Sequence, residues 1–358
     1  MFFQNGATLI SNKINICNLN HNELEEAVIA LGLKKFIVSQ IEDWIYKKLI
    51  LSFSLMTNIS PAIQSLLDNN FDLYLPELHN SVLSQDGTIK LVFKLNDGES
   101  IESVLIKEDD RKTVCISSQA GCAHGCKFCV TGKIGLIRNL KAAEIVGQLI
   151  MILKREQSIT NIVFMGMGEP LANIEEVSRA IQIITYQKGL CISPRRITVS
   201  TCGVIPQLIK FNTLNLKVNL AISLNATTNK DRDLLMPINK KYPINELLAA
   251  CHKLNLSKRQ RIIFEYILIK GINDSKEDAL RLVNLLKGIP NKINLIIYNK
   301  NPYVNFKSPD VESAEQFQQI LIDHHYSCFM RRSKGDDINA ACGQLSAGHK
   351  LDSSLRSE

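Results

Sequence analysis

The sequence has no run of about 18 apolar residues, which excludes a bundle of membrane-spanning helices. Asn5, Asn12 and Lys13 interrupt the apolar residues at the start, so no cleavable export signal is expected there. No internal repeat or low-complexity segment is present. A second close Cys or His pair, which a structural zinc site would need, is also missing. Ten cysteines without an export signal argue against a disulfide framework and for metal and thiol chemistry. The expected location is the cytoplasm. With 358 residues, 45% hydrophobic and 22% charged, the chain has the make-up of a globular protein with one large domain and a smaller one.

Charge is unevenly placed. Residues 1–90 hold six Lys/Arg against nine Asp/Glu, and the remaining 268 hold 36 against 26. Doublets recur there: Lys154-Arg155, Arg195-Arg196, Lys240-Lys241 and Arg331-Arg332. A basic region of this kind fits a polyanion such as RNA. Charge alone favours the alternative, a solvated surface.

The stretch with the most chemistry is Gly121-Cys122-Ala123-His124-Gly125-Cys126-Lys127-Phe128-Cys129. Its Cys-x3-Cys-x2-Cys spacing lets three thiolates meet one compact centre, and the glycines supply the bends. Three thiolates suit a 4Fe-4S cube that leaves one iron open for a small molecule. His124 reads as a variable loop position and not as a fourth ligand. Chance clustering among ten cysteines is the alternative.

Residues 19–70 read as helices. Acidic residues open the first, Gly32 closes it, and Pro61 starts a later one. Thr88–Leu95 and Ser100–Lys107 read as a hairpin about Asn96-Asp97-Gly98. Lys112–Ser118 then leads into the cysteine loop. Beyond it, strands near 161–165, 196–200, 218–223, 262–269 and 293–298 alternate with helices, which implies a parallel sheet with right-handed crossovers. The expected fold is α/β, a partial barrel of about six βα units. The boundaries are a helical accessory domain over 1–87, a β-hairpin extension over 88–107, the catalytic barrel over 108–346, and a polar tail over 347–358 expected to fray.

Functional residues should follow the strand C-termini. Gly168 and Glu169 follow the strand ending at Met165. Ser200 ends the next strand, Ser223-Leu224-Asn225 end the one after, and Asn299 follows the last. Each alone reads as a turn or cap. Their shared position reads as a ring around one ligand. Of the seven thiols outside the cluster loop, two stand out: Cys115, on the strand feeding it, and Cys342, between small residues near the C-terminus. Packed core thiols are the alternative for both.

The cysteine loop resembles that of the radical S-adenosylmethionine (SAM) superfamily. Five ordered motifs narrow the resemblance: Val114–Gln119, the cysteine loop, Phe164–Pro170, Met236-Pro237-Ile238-Asn239 and Asp336–Leu345. Together they resemble the dual-specificity adenine-C2 methyltransferases of 23S rRNA and tRNA, over residues 88 to 346. The resemblance implies a radical SAM barrel with Cys122, Cys126 and Cys129 as ligands of a 4Fe-4S cluster. It implies SAM contacts from Gly168, Glu169, Ser200, Ser223, Leu224, Asn225 and Asn299, with two SAM molecules used per turnover. One methylates Cys342; the second yields a 5′-deoxyadenosyl radical that takes a hydrogen from that methyl group. The carbon radical then adds to C2 of adenine, an electron-poor carbon closed to polar methylation. Cys115 finally resolves the covalent adduct through a transient disulfide. Glu102 matches the candidate proton acceptor.

Two departures from the family pattern stand out. Asn225 occupies a position usually held by His, and Asn299-Lys300-Asn301-Pro302 spaces the proline differently. The implied partners are 23S rRNA, tRNA and a reductase or flavodoxin-type electron donor. No membrane is implied, and the chain is expected to be a monomer. The alternatives are a C8-adenine rRNA methyltransferase of the antibiotic-resistance type and a non-catalytic Fe–S RNA-binding protein. Pro170 favours the C2 enzyme, since the C8 relative tends to carry Ala.

Overall fold

A computed structural model describes residues 13–301 and 303–348. Asn5, Asn12, Pro302 and the tail from residue 349 lie outside the described residues. Three helices come first: α1 (His21–Ala30), α2 (Phe36–Glu42) and α3 (Pro61–Asn70). Asn20 caps α1 through a reciprocal box with Glu23, as acidic residues at a helix N-terminus favour. A π-helical turn, Asp43–Lys47, extends α2 and buries Trp44, Ile45 and Tyr46. No helix among the described residues is long and apolar enough to cross a membrane.

Four antiparallel strands follow: β1 (Glu77–Leu83), β2 (Ile89–Lys94), β3 (Ser100–Glu108) and β4 (Arg111–Cys115). The stretch expected to be helical through residue 87 therefore already contains β1. Its side chains are exposed on both faces, so it shows no alternation for a reader of sequence to find. A short hairpin, β5 (Gln119–Cys122) and β6 (Gly135–Asn139), flanks α4 (Val130–Ile134) and frames the cysteine loop.

The alternating part runs α5 (Ala142–Leu153), β7 (Asn161–Phe164), α6 (Ile174–Thr185), β8 (Ile197–Thr201), α7 (Ile205–Thr213), β9 (Asn219–Ser223), α8 (Asn229–Leu235), α9 (Ile244–His252), β10 (Ile262–Leu268), α10 (Lys276–Leu285), β11 (Asn291–Ile297), α11 (Val311–Asp323) and β12 (Cys328–Arg331). Among the described residues one ten-stranded sheet has the order β12-β11-β10-β9-β8-β7-β4-β3-β2-β1. From β4 to β12 every neighbour is parallel. The parallel part thus has seven strands; the seventh, four-residue β12, was not anticipated from sequence. The core lies between this sheet and its helices. α5 is buried almost throughout, since the N-terminal segment covers its outer side, with Asn18 Oδ1 accepting from the Ala143 amide at 2.8 Å.

The antiparallel extension also reaches the end of the chain. In the β1–β2 turn, the Gln85 amide and the Ser84 hydroxyl donate to the Asp337 carboxylate at 3.0 and 2.5 Å. The Gly335 and Thr88 amides donate to Asp86 at 3.0 and 2.9 Å. Desolvation opposes charge on Asp86. The nearby Thr88 hydroxyl, although it makes no hydrogen bond of standard geometry, and the two amides outweigh it and hold the carboxyl at about 2. A depressed carboxylate pKa stabilises the fold above its unfolded value, and that contribution is lost as pH falls through the folded value. Asp86→Asn should therefore destabilise the protein by a constant amount from pH 7 to about 4, with the difference shrinking towards pH 2. Urea unfolding of both proteins across that range checks it.

Candidate active site

Ser117, at the head of the loop region, sets the site's position. Its amide donates to Gln148 Oε1 at 2.9 Å and its carbonyl accepts from Gln148 Nε2 at 3.0 Å. Its hydroxyl donates to the Glu102 carbonyl at 2.6 Å and accepts from the Met167 amide at 2.8 Å. The Gly166–Pro170 loop is thereby pressed onto the chain that leads to the cysteines. A Cβ on Gly166 would lie 2.7 Å from the Ile116 carbonyl oxygen, and one on Gly168 (φ +100°) 2.5 Å from Gln119 Cβ. Both positions require glycine.

A cavity of about 150 Å³ opens at the C-terminal ends of the parallel strands. Cys122, Cys126 and Cys129 line it together with His124. Gly168, Glu169, Ser200, Ser223, Asn225 and Cys342 line it as well. The strand-end residues thus come together, with Leu224 and Asn299 excepted. Leu224 has its side chain fully buried in the core, and its amide donates to the Glu265 carbonyl at 3.0 Å. Asn299 holds the loop that carries Cys342: its side-chain Nδ2 donates to the Cys342 carbonyl at 3.3 Å, and the Ser333 hydroxyl donates to its side-chain oxygen.

Burial pushes the thiols of Cys122, Cys126 and Cys129 up, that of Cys122 to about 12. Among the described residues no three His, Cys, Asp or Glu side chains converge on a single ion position. A cube spreads its irons over separate corners and suits a wider ring of thiols. The donor set, three soft thiols lining the cavity, fits iron–sulfur and not a hard cation.

Glu169 is buried. Its carboxylate accepts from the Leu171 amide at 3.0 Å and the Cys202 amide at 2.7 Å. Asn225 adopts a left-handed backbone (φ 58°), which Asn tolerates better than most residues. Its side chain is engaged by Met236 Sδ at 3.3 Å and the Ile267 amide at 3.0 Å, so it braces β10 as well as facing the cavity.

Cys342 sits on a loop stitched to the cysteine loop. The Val130 amide donates to the Gly343 carbonyl at 2.7 Å and the Thr131 hydroxyl to the Leu345 carbonyl at 2.7 Å. Of the outer pair Cys342 is the exposed residue, yet desolvation raises its thiol, with Arg331 pulling the other way. Cys115 ends β4, buried. Burial, then the Cys342 charge, push its thiol to about 12, and Arg331 opposes them. Cys115 and Cys342, both free thiols, are therefore electrostatic neighbours. Glu102 does not line the cavity. Buried under the same loop, it accepts from the Ser346 amide at 2.9 Å and pairs with Lys90 at 3.4 Å.

Three residues with a part in the site were not identified from sequence. Arg232, fully buried, donates to the carbonyls of Cys202 at 2.8 Å, Leu224 at 3.0 Å and Ser223 at 3.2 Å, capping the ends of β8 and β9. Glu265 lines the cavity from β10. Its signal was available: it is the lone carboxylate inside an apolar strand. Arg331, half of a basic doublet, lies 3.8 Å from Glu265 and close to both outer thiols.

An open parallel sheet with three cavity-lining cysteines after its first parallel strand defines a radical SAM enzyme, and residues 116–283 match the radical SAM superfamily. Residues 14–73 match the N-terminal domain of ribosomal RNA large subunit methyltransferases. A crystal structure of a radical SAM methyltransferase from Sphaerobacter thermophilus superposes with a TM-score of 0.89 at 40% identity, over 93% of this chain and 99% of that one. The dual-specificity RNA methyltransferase RlmN of Desulfosudis oleivorans is 48% identical over 94% of this chain and 91% of its own length. That of Geobacter sulfurreducens is 46% identical over 95% and 93%. The chain belongs to the RlmN family of radical SAM methyltransferases, which work with a 4Fe-4S cluster and SAM.

Replacing Cys122, Cys126 or Cys129 by Ala should reduce iron per chain to background after anaerobic reconstitution. Cys202→Ala, in the same cavity, should keep the wild-type ratio. Iron and protein assays on the four variants check this.

Proposed function

We propose that this chain methylates C2 of adenine in 23S rRNA and tRNA, using two SAM molecules per turnover and the thiols Cys342 and Cys115. The observation that carries the reading is this pair of free thiols, one on an exposed residue that lines the cavity and one buried, beside the three cysteines of the loop. Cys122, Cys126 and Cys129 would hold the cluster. When bound, cluster and SAM supply a one-electron cleavage that delivers a 5′-deoxyadenosyl radical to the cavity.

The other roles belong to the chain. Glu169 offers a carboxylate to the SAM ammonium group. Gly168, Ser200, Ser223 and Asn225 line the wall for the rest of that ligand, with Leu224 behind them. Cys342 accepts a methyl group from the first SAM, gives up one of that group's hydrogens, and carries the carbon to C2. The unpaired electron left on the adduct would return to the cluster; Cys115 then attacks Cys342 Sγ and breaks its bond to the methylene carbon, which takes up a proton, and the disulfide so formed is reopened by cytoplasmic reductants. Glu102 is the acceptor of the C2 proton. Its place under the loop means that the proton crosses through water or through a shift of residues 339–346. The adenine has to leave its stack, which costs a few kcal/mol and is cheapest in loops and unpaired regions. The reading includes a flavodoxin-type donor and a monomer, whose site is drawn from one chain.

Reconstituted protein supplied with methyl-labelled SAM and unmethylated 23S rRNA or tRNA should yield 2-methyladenosine in both on nucleoside chromatography, and none with Cys342→Ala. Labelled 8-methyladenosine, or no label in RNA, contradicts the reading.

A further inference from the structure

We propose that Glu265 recognises the 6-amino group of the target adenine: its free carboxylate oxygen accepts an N–H from the base and fixes how the ring lies against Cys342. The proposal rests on the adenine-methylating reading above.

Glu265 is 4% exposed and lines the cavity from β10. Its two oxygens are unlike. Oε1 accepts from Asn294 Nδ2 at 2.9 Å and lies 3.8 Å from Arg331 Nη1. Oε2 is buried and has no hydrogen-bond partner. A buried carboxylate oxygen without a donor is costly, and burial indeed pushes this carboxyl up against the pull of Arg331 and Asn294. A ligand that brings its own donor removes that cost. Asn294 and Arg331 meanwhile hold the group so that the free oxygen keeps one orientation.

Two carboxylates line the cavity. Glu169 faces Cys122 and Cys126, and its oxygens already accept from two amides. Glu265 faces Cys342. Bond formation at C2 brings the base against Cys342, so the ligand beside Glu265 is the base. On the edges of adenine outside the sugar the amino group is the N–H donor, and the ring nitrogens accept. Guanine carries a carbonyl at the same position, which a carboxylate repels. An acceptor on the amino group also fixes the in-plane rotation of the ring, and that rotation decides which carbon meets Cys342.

The test compares two target RNAs, one with adenosine and one with purine riboside, which has hydrogen in place of the amino group. Wild type should lose about 10- to 100-fold in kcat/KM without the amino group. Glu265→Leu should use the two RNAs within about twofold of each other, and Glu265→Gln, which keeps an acceptor oxygen, should fall between. Equilibrium binding of the same RNAs gives a reading independent of turnover. Iron content and SAM affinity of the variants should match wild type. A Glu265→Leu protein that keeps the full preference for adenosine overturns the proposal. So does one that loses SAM affinity and keeps the preference, since Oε2 then serves SAM. If wild type methylates adenosine RNA in either case, the adenine reading stands and only the role of Glu265 falls. If wild type methylates no adenine, both fall.

Discussion

The site depends on the buried clamp between Ser117 and Gln148. Ser117 uses its amide, carbonyl and hydroxyl at once, joining α5, β3 and the Gly166–Pro170 loop. Each buried partner left without its mate costs about 1–3 kcal/mol, so the network is strong only when complete. Its place is what matters for chemistry. The cysteine loop begins five residues later, and the loop carrying Glu169 hangs from the same hydroxyl through Met167. Three cysteines and one carboxylate are thus fixed to one point of the sheet before any ligand arrives.

A second set of contacts brings the end of the chain to that point. Asp86 and Asp337 tie the β1–β2 turn to the loop around Gly335, and Glu102 takes the Ser346 amide. The antiparallel extension is therefore more than a wing on the barrel. It shapes the loop that holds Cys342 over the cavity, while Gly343 and Leu345 are bonded to the segment just after Cys129. A thiol held from two sides in this way can stay close to a buried partner such as Cys115 and still be reached from solvent. The proposed transfer of a methyl carbon from Cys342 to RNA would use that combination.

Much of this was legible in the sequence because it is written locally. The cysteine spacing, the alternation of strands and helices, and the polar residues at strand ends need only short windows. Other features depend on partners far along the chain. Glu102 looks like a free carboxylate until Ser346, 244 positions away, is seen to bond to it. β1 lacks alternation because both its faces meet solvent, and β12 is too short to stand out. Arg331 reads as half of a basic doublet, yet the fold turns it towards Glu265 and the thiols. Arg232 sits in a polar helix, and only the convergence of three strand-end carbonyls explains why a guanidinium is buried there.

The central claim is that Cys342 carries the methyl carbon and Cys115 releases it. The most direct measurement is the mass of the peptide containing Cys342, from anaerobically handled wild type and from Cys115→Ala purified out of cells with their own RNA. The account predicts an added methyl group on Cys342 in wild type and RNA covalently attached at Cys342 in the Cys115→Ala protein. An unmodified Cys342 in both, with the cluster fully loaded, would contradict it.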